Sequence, residues 1–429
     1  MGVTRRGVLA GAGALGVLHG CGGGGSAAPA DPPFDPQSWD SVQAQFLLSP
    51  DAAQFSAFVF ASHPKAVREA IQRHRDALDR DPHYLDEQAG PLDDAVSKAA
   101  TGYLETRDEQ IAYTDSTTMG LGLLYSGLRL RAGDEVLTTG HDFYSTHEAL
   151  RLRAVRDGVT LRRVTLYDDA ATGGRSMTAG GIVDRLTAAV TPRTRVVAIT
   201  WVHSSTGVKV PVRAIADALR GRPNRPLLCV DAVHGFGAED ATPDQLGADF
   251  VVSGCHKWLF GPRGTGLVWG STEGWAGYTP LIPPFDGRTI GAWLGVPADP
   301  VPPGRGATPG GFHTFEYRWA LAQAFAFHTA IGRARVAGRT RELASRLKDG
   351  LAGIGSKVRL VTPEDPALSA GIVCVDVTGI NPGAAVRQLR EKRVYASSTP
   401  YDPSYLRFGT SIVTRERDIE AAISAVRAL

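Results

Sequence analysis

The chain has 429 residues, more than one typical domain, which suits a large domain with a smaller satellite. Hydrophobic residues at 43% and charged ones at 21% describe an ordinary soluble globule with a sizeable core. The net charge of +2 comes from 46 basic and 44 acidic side chains with no basic run, so electrostatics gives no support for nucleic-acid binding.

The first residues read as an address rather than as fold. Thr4-Arg5-Arg6-Gly7 followed by the small, apolar stretch Val8 to Leu18 has the form of a twin-arginine export signal, too short and glycine-rich for a permanent membrane helix. Leu18-His19-Gly20-Cys21 then resembles a bacterial lipoprotein cleavage box, which makes Cys21 the residue to be lipidated and the only route to membrane anchoring. The expected location is periplasmic or at the cell surface. Residues 1–21 are the signal, and 22–44 form a flexible tether rich in Gly and Pro.

From about residue 65 helical and strand patterns alternate. Val67, Ala70, Ile71 and Leu78 mark a helix face, Gln110 to Tyr113 a strand, and Leu121 to Leu130 a helix. Strands follow at Glu135–Thr138, Leu161–Leu166, Arg195–Val202, Pro226–Asp231, Phe250–Ser253 and Gly266–Trp269, with helices at Gly181–Val190 and Val212–Leu219. This order predicts an α/β fold with a mainly parallel sheet covered by helices, whose ligands bind at the carboxyl ends of the strands. Tyr278 to Pro309, rich in Pro and Gly, reads as an irregular rim loop. One long helical pattern then runs from Trp319 to Leu351, followed by strands at Val358–Val361 and Ile372–Val377 and helices at Gly383–Glu391 and Arg417–Leu429. We expect a large domain over 45–318, its first residues free to join the other unit, and a small α+β domain over 319–429. Cys229, Cys255 and Cys374 sit in apolar strand-like runs without CxxC spacing, so neither a metal site nor a disulfide framework is expected.

Two strand mouths carry the chemistry. Asp231 ends one strand, and Lys257, in Ser253-Gly254-Cys255-His256-Lys257-Trp258, follows the next, 26 positions on. A carboxylate that keeps a pyridine nitrogen protonated and an amine that forms a Schiff base with an aldehyde are what pyridoxal phosphate needs. A free lysine has a pKa of about 10.4, so the amine must be desolvated or placed near cations to react; Trp258, Leu259 and Phe260 supply apolar cover. Thr114 to Gly120 lies where a strand enters a helix, and its hydroxyls and exposed N–H groups suit a phosphate, although Ser and Thr are also favoured as ordinary N-caps. Gly140 to Thr146 places His141, Phe143 and Tyr144 at another mouth, where one aromatic ring could cover the pyridine. His234, Ser204 or Ser205 could reach the cofactor's phenolic oxygen. Arg407, in the strand-like run Tyr405 to Thr410, could hold an α-carboxylate through two parallel hydrogen bonds.

Over residues 45 to 429 these blocks resemble the fold-type I pyridoxal phosphate enzymes of the class V aminotransferase family, in particular its isopenicillin N epimerase-like and cysteine desulfurase-like branch. The resemblance rests on Val230-Asp231-Ala232-Val233-His234, on His256-Lys257-Trp258 with Gly261-Pro262-Arg263-Gly264, and on the terminal arginine motif. It implies Lys257 as the Schiff-base residue, Asp231 at the ring nitrogen, Thr117 with Thr118 as the phosphate cradle, His234 at the ring oxygen, Phe143 on the ring face and Arg407 on the substrate, with Ser204 and His256 as further cofactor contacts. It also implies a homodimer whose partner completes the phosphate site through Thr314, in His313-Thr314-Phe315-Glu316.

Family desulfurases carry a cysteine upstream of the terminal arginine, and Val394 to Pro400 has none, so the sequence predicts an enzyme other than a cysteine desulfurase. The expected activity is epimerisation or β-elimination at Cα or Cβ of an amino acid or small derivative. A class V aminotransferase is the alternative, and a non-catalytic exported binding lipoprotein the third reading.

Overall fold

Strands that are apolar on both faces are built to be covered on both sides. Leu227–Asp231, Phe250–Gly254 and Gly266–Gly270 are of this kind, and all lie in the interior of one sheet. The computed structural model describes residues 33–168, 177–222 and 224–429, so the export signal, Cys21 and the tether up to residue 32 lie outside the described residues, while the end of the 22–44 segment contains a short helix, Trp39–Ala44.

After β1 (Ala53–Gln54), the large sheet takes β2 (Ile111–Thr114), β3 (Glu135–Thr139), β4 (Thr160–Val164), β5 (Thr194–Thr200), β6 (Leu227–Asp231), β7 (Phe250–Gly254) and β8 (Gly266–Gly270). Their spatial order is β2-β8-β7-β6-β5-β3-β4. β8 is antiparallel to both neighbours, so β2 runs in the same direction as β7, and the carboxyl ends of β2, β3, β5, β6 and β7 open on one edge. Edge strand β4 carries Arg162 and Arg163, charges that discourage pairing with another chain.

The second sheet contains β9 (Val358–Leu360), β10 (Ile372–Val377), β12 (Ser397–Ser398) and β13 (Leu406–Gly409), in the order β12-β13-β10-β9. β1 pairs in parallel with β11 (Val394–Tyr395), and Phe55 packs edge-on against Phe408 at 5.5 Å, so the beginning of the folded chain shares the core of its end.

The single helical pattern from Trp319 to Leu351 is two helices, Leu321–Ile331 and Arg333–Ala352, separated at Gly332, whose φ of 92° leaves the helical range. The first packs on Lys65–Arg80 and Tyr84–Leu104 of the large unit, the second on β9 and β10. The rim stretch is less irregular than its composition suggests, since Gly287–Trp293 and Pro303–Ala307 are short helices. Two long helices had no clear signal in the sequence. Tyr84–Leu104 contains Pro91, and Tyr144–Asp157 has Leu152 and Val155 exposed, which blurs its apolar stripe.

Candidate active site

Asp231 is the last residue of β6 and is 1% exposed; its Oδ1 accepts the Val233 N–H at 3.0 Å. Burial raises its carboxyl well above the ordinary carboxylate range; the Asp142 charge adds to this and the Lys257 ammonium opposes it. Lys257 stands three residues beyond β7 in a tight turn. Phe260 N–H bonds Lys257 O at 3.1 Å and Gly261 N–H bonds Cys255 O at 2.9 Å, and Phe260 takes a left-handed φ of 55°. A bulky residue resists that conformation by about 1–2 kcal/mol; Phe260 is 2% exposed, and burying its ring offsets the cost. The turn leaves Lys257 half-buried, with no hydrogen bond or ion pair to any described residue. Burial, joined by the Arg407 charge and opposed by Asp231, lowers its pKa from 10.5 to about 8.

These two groups line one cavity of about 150 Å³ together with Phe143, Ser204, His234 and Arg407. His234 Nδ1 accepts the Trp258 Nε1–H at 3.1 Å, and burial with the Lys257 and Arg407 charges holds the ring neutral, far below its usual pKa. Arg407 alternates with Leu406 and Phe408 along β13, which face the small core, and so points the other way. Its Nη1 donates to Ser204 O and its Nε to Ser397 Oγ, both at 3.1 Å, and its guanidinium lies 5.1 Å over the Phe58 ring.

Of the three ring-bearing residues after β3, Phe143 faces the cavity. His141 is stacked on Tyr167 at 3.8 Å and 11°, and Tyr144 is 67% exposed. Thr117 begins the helix Thr117–Gly127, capped by Ser116, and its Oγ1 accepts the Gly254 N–H at 2.7 Å, which ties the helix to the end of β7. Gly120 lets that helix settle on the sheet, because a Cβ there would come within 2.7 Å of Val252. Thr118 is exposed and its Oγ1 shares a 2.9 Å hydrogen bond with Ser145. His256 is half-buried at the same corner, and a Cβ on Gly254 would meet its Cε1 at 2.7 Å. Ser205 is buried with its Oγ unpartnered. Thr314 stands just before the helix Phe315–Trp319 without a side-chain capping bond, is exposed, and does not line this cavity.

Three residues at the site went unnamed in the sequence. Asp142, 1% exposed, accepts from Thr138 Oγ1, Thr139 N and Thr200 N, all at 2.7 Å, and so knots the ends of β3 and β5. Phe58 stacks on Trp258 at 5.3 Å. Tyr401, next to Pro400 on the cavity wall, hydrogen-bonds Ser204 Oγ at 2.7 Å. Only Asp142, at a strand mouth, offered a positional signal. A second cavity, about 230 Å³, lies by β2 and the rim segment and includes neither Asp231 nor Lys257.

The donor set fits pyridoxal phosphate: a buried carboxylate, an amine without a partner, an aromatic wall, and a glycine corner beside a helix start. The family model for class V aminotransferases matches residues 61–400. The chain belongs to this family of fold-type I enzymes, whose cofactor is pyridoxal phosphate. It is similar to isopenicillin N epimerase of Streptomyces clavuligerus, 24% identical over 410 residues that cover 91% of this chain and 98% of that one. A solved structure of the cystine C–S lyase C-DES with its product cysteine persulfide superposes with a TM-score of 0.80 at 22% identity, covering 88% of this chain and 98% of the other. A protein named as a probable cysteine desulfurase from Methanothermobacter thermautotrophicus is 30% identical over 194 residues, 44% of each chain. That match overturns the expectation that this enzyme is not a cysteine desulfurase. The exclusion rested on one missing side chain between Val394 and Pro400, whereas the scaffold that holds cofactor and substrate is shared with desulfurases.

Proposed function

We propose that the chain is an isopenicillin N epimerase-like enzyme that removes the Cα proton of an amino acid or small amino-acid derivative and returns one on the other face. The observation that carries this reading is the unpartnered Lys257 amine in one cavity with buried Asp231 and the Arg407 guanidinium. In this reading Lys257 would hold the cofactor's aldehyde carbon and Asp231 its ring nitrogen. Phe143 would cover the ring, His234 and Ser204 would lie near its oxygen, and Thr117, Thr118 and His256 would hold the phosphate. Bound there, pyridoxal phosphate supplies an electron sink for the negative charge that develops at Cα. Arg407 has donors left beyond its two protein bonds and fixes the substrate carboxylate. Lys257 Nζ, whose pKa is lowered to about 8, takes the proton. The apolar walls of Phe58, backed by the stacked Trp258, and of Phe143 keep water from competing for it.

A second reading, loss of a β substituent, is supported by the relatives named for carbon–sulfur cleavage. Incubating the holoenzyme with the proteinogenic L-amino acids in deuterated water separates the cases. Cα deuterium together with D isomer is expected. Keto acid as the main product would replace the epimerase with a transaminase, and a released β fragment or sulfide would select the second reading. We further propose export by the twin-arginine route with Cys21 as a lipid anchor, and a homodimer in which Thr314 meets the partner's phosphate site. Mass analysis of the mature N-terminus and sedimentation of the purified protein test these.

A further inference from the structure

Epimerisation by two groups places one on each side of Cα, and the sheet order supplies two sides. β6 lies between β7 and β5, so the turn carrying Lys257 and the loop carrying Ser204 rise on opposite flanks of Asp231. Behind Ser204 stands Tyr401, its hydroxyl 2.7 Å from Ser204 Oγ. The Tyr401 ring meets Phe143 edge-on at 6.1 Å, and Phe143 follows β3, the next strand beyond β5. Tyr401 therefore belongs to the β5–β3 flank and Lys257 to the β7 flank. Ser204 lines the cavity, and its carbonyl is clamped by Arg407, which fixes where its hydroxyl sits. Burial above all holds the Tyr401 phenol protonated, as a donor must be; its bond to Ser204 opposes this, and the Asp231 charge adds to it while the Arg407 charge subtracts. His234 is engaged by Trp258 through Nδ1 and sits on the turn after β6.

We propose that the Ser204–Tyr401 hydroxyl pair is the second proton-transfer group of this cavity, serving the flank of Cα that faces away from Lys257. The proposal rests on the epimerase reading. On the β7 flank the Cα–H bond breaks and its proton passes to Lys257 Nζ. On the β5 flank a new Cα–H bond forms with the Ser204 hydroxyl proton, while the Tyr401 O–H bond breaks and its proton replaces the one Ser204 gave. No electrons are gained or lost overall. The Tyr401 oxyanion, left near Arg407, and the Lys257 ammonium return to their starting states through water. Ser204 is the catalytic residue, and Tyr401 acts through it.

Tyr401→Phe keeps the ring against Phe143 and removes only the hydroxyl. The test uses wild-type, Tyr401→Phe and Ser204→Ala holoenzymes in deuterated water, with the proteinogenic L-amino acid that wild type exchanges fastest at Cα. Both variants are expected to form D isomer on the order of 10²-fold more slowly, and in Tyr401→Phe deuterium entry into recovered L isomer stays within about threefold. The melting temperature and cofactor binding of Tyr401→Phe should match wild type. An equal fall in exchange and inversion, or a lowered melting temperature, would assign Tyr401 to holding its loop and overturn the proposal. Inversion at the wild-type rate in Tyr401→Phe overturns it too, and loss in Tyr401→Phe with normal inversion in Ser204→Ala removes the relay. A wild-type enzyme that exchanges deuterium without forming D isomer would sink the epimerase reading itself, and the second donor with it.

Discussion

Lys257, above the large sheet, and Lys348, on the helix that covers the small one, are both amines that burial lowers from 10.5 to about 8, yet their surroundings are opposite. Lys348 Nζ donates to Pro363 O, Glu364 O and Ser369 Oγ at 2.8–2.9 Å, three acceptors for its three protons, and is 2% exposed. Lys257 has a carboxylate and a guanidinium within electrostatic reach and no hydrogen-bond partner among the described residues. Burial alone does not make a lysine a nucleophile. A satisfied ammonium staples the 361–370 segment to its helix, and an unsatisfied one is ready to give up its proton.

The largest effect expected from this contrast is at Lys257. Lys257→Ala should remove the visible absorbance that borohydride reduces in the holoenzyme and lower turnover by on the order of 10³-fold or more. The cofactor-free variant should melt no lower than wild type, because a desolvated charge without partners is removed. A variant that keeps its band would break the comparison at its active end. Next is Arg407→Lys, which keeps the charge but loses the planar fork. Its KM for amino acids should rise about 10–100-fold with the cofactor spectrum unchanged, and equal damage to both would deny it the carboxylate. At the structural end, Lys348→Met should cost about 1–3 kcal/mol in denaturant unfolding by leaving three acceptors unmet, while activity per folded molecule stays the same. A loss of activity there would mean that the two lysines are coupled.

What could be read in the sequence follows the same division. Strand-mouth positions are periodic and local, so Asp231, Lys257 and the helix start at Thr117 could be placed from pattern alone, as could the parallel sheet. Residues that reach the cavity from afar had no such signal. Phe58 arrives because β1 pairs with β11 some 340 residues later. Tyr401 reaches the site through its hydrogen bond to Ser204, 197 residues earlier in the chain. The break at Gly332 was hidden because apolar residues continue on both sides of it, and one glycine in a helical pattern does not by itself announce a left-handed φ. The desulfurase exclusion failed for a related reason: a single absent cysteine was weighed more heavily than the scaffold around it.

The finest test of the comparison is the pH dependence of cofactor capture. Only the unprotonated amine attacks an aldehyde, so the rate at which cofactor-free protein takes up pyridoxal phosphate should rise with pH and level off above the pKa of Lys257. With that value lowered to about 8, the free amine at pH 7 is about one molecule in ten rather than about one in three thousand for an ordinary lysine. The midpoint should therefore fall near pH 8, and a rate still climbing through pH 10 would show Lys257 to be ordinary. Its two neighbours set the sign of the remaining shifts. The Asp231 charge raises the Lys257 value and the Arg407 charge lowers it, so Asp231→Asn should move the midpoint down and Arg407→Gln should move it up. Lys348→Met lies outside this pair and should leave it where it is, which separates an amine tuned by its neighbours from one merely buried.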